Sequence, residues 1–301
     1  MAKVDNTDLM AAKAAHAFMG EFAWPTVLMS IVFTAGFIAI PIVASAGGLS
    51  LWLAIVLMGL TVYASYTVLH ESVHRAISGN KKSLLWLNEW CGYLAGFVLF
   101  IPLTAHRKSH FAHHAHTNDQ VEDPDLIVTR MTQSPAAAAR AVWQVIGYQY
   151  GYYFRRCWKT GSKQQNTLFC TELALGVIGR VALVSLTDPL TTIALLIGGG
   201  AIGTLIVTYF FAYIVHEPHS ETGRYTDTST LIVDGIPGKV VNWLWLFQNY
   251  HSIHHLFPRV PFYRYVEVYE NILPVMAEKQ APMFKLSLTG MKQISGKQIH
   301  T

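Results

Sequence analysis

Charge is what this 301-residue sequence has least of. Asp, Glu, Lys and Arg make up 13% of it, against about 25% in an ordinary soluble domain. The net charge of +4 is too small to mark a nucleic-acid binder, and no nucleic-acid partner is expected. Cysteine is also scarce. Cys91, Cys157 and Cys170 form no CxxC pair, which excludes a disulfide framework and a thiolate zinc site. No Pro/Ser linker, repeat or low-complexity tract divides the chain, so residues 1–301 read as one domain. The first 20 residues mix Lys3, Asp5, Asp8 and Lys13 with no apolar core, so no secretory leader is read there.

What the chain does have is apolar length. It is 52% hydrophobic with a mean hydropathy of +0.31, the composition of an integral membrane protein partnered by the lipid bilayer. A helix needs about 20 apolar residues to cross a bilayer core. Four stretches qualify: residues 22–46, 51–69, 167–186 and 190–215. Gly47-Gly48 and Asp188-Pro189 supply the turns within each pair. Residues 84–104 are apolar too, but a crossing there would put a membrane between histidine clusters that must share a site. They are therefore predicted to form a re-entrant or interfacial helical hairpin, consistent with Asn88, Glu89 and Gly92 inside it. Residues 135–163 are basic and aromatic and suit the membrane interface. The predicted fold is all-α: four spans, the hairpin and a histidine-rich metal domain.

With four spans, both termini and every histidine cluster lie on one side. Of the 22 Lys and Arg residues, all fall on that side except Arg180, which falls within a span. The positive-inside rule makes that side cytoplasmic. Arg180 is the misfit: it snorkels, lines a cavity or marks a misplaced boundary.

Histidine carries the chemistry. Eight of the 14 His stand in three clusters: His70 and His74; His110, His113 and His114; His251, His254 and His255. Helical residues three or four apart share a face, so each cluster can aim its rings at one point. His216, where the fourth span ends, is a plausible ninth member. One metal ion takes about four to six ligands, so nine imply two ions. Imidazole-bound iron with an open position can bind and reduce O₂, and two irons can store two electrons for O–O cleavage. Such a site at the membrane edge suits a lipid-soluble substrate.

The motifs HESVH, HFAHH and HSIHH, in this order with spans between, resemble the boxes of the membrane fatty-acid desaturase and hydroxylase superfamily. The resemblance covers nearly the whole chain. It implies a di-iron centre, a cytosolic metal domain, O₂ as co-substrate and an external reductant. By carry-over, His70, His74, His110, His113, His114, His251, His254 and His255 are iron ligands, and His216 fills the family's extra ligand position before the last box. Within the superfamily, the run HHLFPRVPFYRY (residues 254–265) is similar to carotenoid ring hydroxylases of bacterial and cyanobacterial type. Hydroxylation of a carotenoid ring is therefore the first expectation, and desaturation of a fatty acyl chain the alternative. No cytochrome b5-like HPGG motif is present, so the electron donor, ferredoxin or another carrier, is a separate protein.

Two readings from other classes compete. A metal transporter would place its ligands near the bilayer midplane on broken helices, whereas these lie at helix ends. A two-zinc hydrolase would need a bridging carboxylate and a poised base, and none stands inside the boxes. The remaining polar residues have modest readings. His106 extends the stripe of the second cluster as a hydrogen-bonding neighbour or a ligand. His116 lies off the ligand face of a continuing helix. His219 caps a loop or ligates. One of Asp119, Glu122, Asp123 and Asp125 could orient a metal-bound His. His16 and His300 are terminal and carry no role.

Overall fold

The computed structural model describes residues 6–294 except residue 288; His300 lies outside them. The architecture is mostly helical. After a short leading helix, α1 (Asn6–Met19), four helices are long and apolar enough to cross a membrane: α2 (Trp24–Ser45), α3 (Leu51–Val73), α7 (Lys163–Leu186) and α8 (Pro189–His216). All four expected spans are present. The second runs to Val73, so it carries His70 beyond its apolar run. Ser50 caps α3 by accepting from the Leu53 amide, and Asp188 caps α8 by accepting from the Thr191 amide at 2.8 Å. These two turns face each other, since the Asp188 amide donates to Ser45 Oγ at 3.0 Å.

The hairpin differs from its expected bounds. Its first arm is α4 (Leu85–Leu99) with a 3-10 lead-in, and its second is α5 (Leu103–His116), bent by 96° from the first. The return arm is thus the helix that bears the second histidine cluster. The bend has a local cause. Phe100 adopts a left-handed conformation (φ 57°), the Ile101 amide donates back to Gly96 O, and Pro102 follows. A Cβ on Gly96 would meet Ile101 O at 2.6 Å, so the tight return requires glycine there.

Two charges within α7, Glu172 and Arg180, close this bend. Arg180 donates to Phe97 O and Val98 O, each at 3.0 Å, and its guanidinium lies 4.4 Å from the Phe100 ring centre. It adds a donor to the C-terminal carbonyls of α4, of which Phe97 O also accepts from the Phe100 amide. Eight residues earlier, Glu172 accepts from Thr104 N at 3.4 Å and from Thr104 Oγ1, capping the N-terminus of α5. Arg180 is therefore a half-buried helix cap between spans, and the boundary of the third span was not misplaced.

Helix α3 is the axis of the bundle. It packs on α2, α4 and α8. On α8 the approach is close: a Cβ on Gly203 would meet Val62 Cβ at 2.5 Å, and one on Gly199 would meet Met58 Cγ at 2.5 Å. Two π-helical turns, Leu195–Gly199 and Thr208–Tyr213, interrupt α8. The second shifts the helical register just before His216.

Outside the spans, α6 (Pro135–Tyr152) is the expected basic, aromatic segment, followed by a π turn over Tyr153–Cys157. Helices α9 (Gly235–Leu244), α10 (His251–Leu256) and α11 (Tyr265–Glu278) complete the metal domain. A small sheet, absent from the all-helical expectation, ties the tail down. β1 (Thr230–Ile232) pairs in parallel with β2 (Met283–Ser287), which pairs antiparallel with β3 (Gly290–Gln293). The tail buries Ile253, Val260, Phe262, Tyr265, Val268 and Met276 against α1 and the third cluster.

Candidate metal centre

Helices α3, α5, α8 and α10 bring seven of the nine expected histidines into burial, and His114 and His255 are half-buried beside them. They form two groups. His70, His74, His110 and His254 present ring nitrogens within 4.8 Å of one another, and so do His113, His216 and His255. The i, i+4 spacing of His70 and His74 keeps the first box in one group, while the i, i+3 spacing on α5 splits the second. His110 goes to one group and His113 to the other. The third box divides likewise between His254 and His255.

His114 and His251 lie between the groups. His114 Nε2 is 3.0 Å from His110 Nε2 and 2.9 Å from His254 Nε2, while its ring stacks on His255 at 4.3 Å. The His251 ring is 4.9 Å from His255, 5.1 Å from His216 and 5.8 Å from His70. In the second group His216 Nε2 lies 3.1 Å from His113 Nε2 and 3.3 Å from His255 Nε2. Two nitrogens each about 2.1 Å from one ion would stand about 3.0–3.4 Å apart at octahedral or tetrahedral angles. The donor set fits metal ions in a second way. Both His70 nitrogens and His74 Nε2 are buried with no hydrogen-bond partner in the protein, a costly arrangement for imidazoles that bind nothing.

The rings are held from behind. Asp123 accepts from His113 Nδ1 at 2.8 Å, and its other oxygen accepts from the Asn118 amide at 2.7 Å. Asp123 is thus the acid of the 119–125 tract that bonds the ring, with Asp125 Oδ2 3.7 Å from the same nitrogen; Asp119 and Glu122 are exposed. His251 Nδ1 meets Gln248 Oε1 at 3.0 Å, and His254 Nδ1 meets the Tyr265 hydroxyl at 3.2 Å. Asp227 lies 3.9 Å from His255 Nδ1. Asn118 joins the acidic loops by donating to Asp227 O at 2.8 Å and Glu221 O at 2.7 Å. With Nδ1 engaged, Nε2 is left to face the centre. Asp227 and Asn118 escape sequence reasoning because they act across folded distance, and Gln248 and Tyr265, though near the third box in sequence, because no motif marks them. Glu71, inside the first box, is also buried. It accepts from Thr26 Oγ1 and from the Phe262 amide, both at 2.5 Å, and ties the first box to the segment after the last.

Electrostatics favour ligation. Burial, reinforced by neighbouring imidazoles, holds His74, His110, His114, His251, His254 and His255 well below the usual histidine range. They are neutral, the form that binds metal. His113 is the exception. Burial lowers it, but Asp125 and Asp123 override burial and push it up to about 9. A field that holds a proton there equally favours a metal cation at Nε2.

The other histidines stay outside the groups. His106 is buried and stacks on His110 at 5.3 Å, with Nδ1 3.3 Å from Gln149 Oε1. Helix α5 does continue to His116, which is exposed. The His219 ring is 6.5 Å from His216.

A fatty acid desaturase family model matches residues 46–287, a range that contains every box. The chain belongs to the fatty acid desaturase family. Membership agrees with the four spans described above and makes it a multi-pass integral membrane protein. Among curated proteins, this desaturase-family chain is similar to a chloroplastic omega-3 fatty acid desaturase of Glycine max, at 25% identity over 90% of this chain and 65% of the relative. It is 21% identical to a fatty acid desaturase of Bacillus subtilis (72% of this chain, 68% of the relative) and to a fatty acid conjugase of Calendula officinalis (69% and 64%). The chain thus spans about two thirds of the length of these relatives.

Proposed function

We propose that this protein is a membrane di-iron desaturase acting on a fatty acyl chain, the alternative of the two sequence expectations. The observation that carries the reading is a pair of buried histidine groups beside apolar space that opens between the spans. A cavity of about 420 Å³ is bordered by Phe37, Met58, Val62, Val98 and Leu196, with Arg180 in its wall. A smaller one of about 40 Å³, sharing Leu99 and Thr204 with it, is lined by Tyr66 and Gln149. The Tyr66 ring stacks 5.8 Å from His70. An extended hydrocarbon chain suits this path, and the relatives named above are desaturases and conjugases of fatty acids. The run 254–265, the basis of the carotenoid expectation, packs under the third box. Phe257, Val260, Phe262 and Tyr265 are core residues there, so the run carries no information about a substrate ring.

In this reading His70, His74, His110 and His254 hold one iron and His113, His216 and His255 the other, with His114 and His251 reaching between them. Iron there, given O₂ and electrons, supplies the power to remove hydrogen from an unactivated C–H bond. The protein's own part is to fix the ring angles through Asp123, Gln248 and Tyr265, to exclude water by burial, and to align the chain. The overall change is –CH₂–CH₂– + O₂ + 2e⁻ + 2H⁺ → –CH=CH– + 2H₂O. The chain acts as one unit, with termini and histidines on the cytoplasmic side by the Lys and Arg asymmetry. Expression in cells followed by acyl-chain and carotenoid analysis tests it. New double bonds in acyl lipids, absent with His113→Ala, are expected. Hydroxylated β-carotene with an unchanged lipid profile would reinstate the first expectation.

A further inference from the structure

The balanced reaction needs two electrons that neither substrate nor protein supplies. The sequence has three cysteines: Cys91 buried, Cys157 half-buried and Cys170 exposed. None belongs to a redox pair, so the electrons enter from another molecule at the surface. The structure has a surface depression where one candidate ligand comes within reach. It has a volume of about 410 Å³ and is lined by His74, Arg75, Gly79, Asn80, Lys82, Leu85 and Arg259. Three of the seven are cations and none is a carboxylate. Arg75, Lys82 and Arg259 are exposed, and none is in an ion pair among the described residues. Arg259 is steadied by neutral oxygens, Gly79 O at 3.1 Å and Asn80 Oδ1 at 3.2 Å. His74 belongs to the first histidine group, and its ring is 4.9 Å from His110 and 4.8 Å from His254. Beside it Phe111 is 46% exposed, with its ring 5.4 Å from that of His74.

We infer that this basic depression, with Phe111 at its side, is the docking surface for a small acidic electron-carrier protein, and that electrons enter through the His74 edge of the first group. The inference rests on the desaturase reading. An exposed aromatic beside unpaired arginines is the composition of an interface. Unopposed positive charge steers an acidic partner to it and makes the encounter salt-dependent. A larger cavity beside Trp158 also carries two lysines, Lys159 and Lys163. It contains none of the nine histidines and so offers no short route to the centre.

The test uses the full chain in nanodiscs of uncharged phosphatidylcholine, with an oxidised, acidic [2Fe–2S] ferredoxin as the probe and binding as the readout. Arg75→Glu with Lys82→Glu should weaken binding about tenfold or more and flatten its dependence on salt. Neither side chain has a partner whose loss would unfold the protein, and a thermal melt checks this. Arg259→Glu is the second variant and should weaken binding in the same direction. Lys159→Glu with Lys163→Glu should leave affinity within about twofold. Equal affinity in the wild type and the first pair, or equal losses from both pairs, would overturn the docking surface. So would binding through Arg75 and Lys82 that is seen only with phosphatidylglycerol vesicles, which would make the depression a lipid headgroup site. Because binding is read without turnover, a protein that docks ferredoxin here yet leaves acyl lipids unchanged removes only the desaturase reading. A protein that desaturates while both pairs bind ferredoxin alike removes only the docking surface.

Discussion

Asp123 holds His113 from behind at 2.8 Å while His113 Nε2 faces His216 Nε2 at 3.1 Å. A carboxylate, an imidazole and the second histidine group thus stand in one line, so the acid is expected to matter without touching the centre. Asp123→Asn keeps the shape and removes the charge. It should lower metal affinity at the second group about 10–100-fold, read by competition with a chelator. Glu122→Gln, one residue earlier and exposed, should leave it unchanged.

Purified from iron-replete cells, the wild type should contain about two metal ions per chain, bound through histidine. His70→Ala and His113→Ala should each cost one ion or more, because the two residues belong to different groups. Elemental analysis decides. One ion in a well-folded wild type would remove the two-centre reading.

His113→Ala should abolish lipid oxidation while the protein still inserts, since no span depends on that ring. His116→Ala should be nearly silent, because His116 ends α5 on the exposed side. If both variants lose activity equally with intact melts, the assignment of the second box is wrong.

Arg180→Met removes the cap on Phe97 O and Val98 O. Phe97 O keeps the Phe100 amide, but leaving Val98 O without its donor costs about 1–3 kcal/mol, so the thermal midpoint should fall by several degrees. An unchanged midpoint would mean that the α4–α5 bend does not need its cap.

Reporter fusions after residue 301 and in the Gly47-Gly48 turn should report opposite sides of the membrane. The same side for both would overturn the four-span arrangement.

The spans were legible because each is an apolar run of sufficient length with turn residues between. The histidine boxes were legible because their spacing is local. The bend at Phe100 was not, because it rests on one left-handed residue and a cap from α7, 80 positions away. Nor was the division of the second and third boxes between two groups, since adjacent His113 and His114 or His254 and His255 look equivalent in sequence. Their separation follows from where α8 and α10 cross α5. The fourth span reads as a plain helix, yet its π turns set where His216 points. Tyr265 lies within the run read as a substrate signature, but its hydroxyl faces His254.

The hydrogen bond from the Phe262 amide to Glu71 joins residues 191 positions apart, and this sets an order of events during synthesis. The first two spans can enter the bilayer while most of the protein is still unmade. At that stage Glu71 lacks its partner, and His70 and His74 face no third box. The first histidine group cannot close before residue 254 exists, nor the second before residue 255, and Glu71 lacks the Phe262 amide until the chain has passed residue 262. In the di-iron reading, metal capture is therefore among the last steps of this protein's biogenesis. A nascent or prematurely ended chain cannot hold a complete centre, so loading itself reports that translation reached the tail.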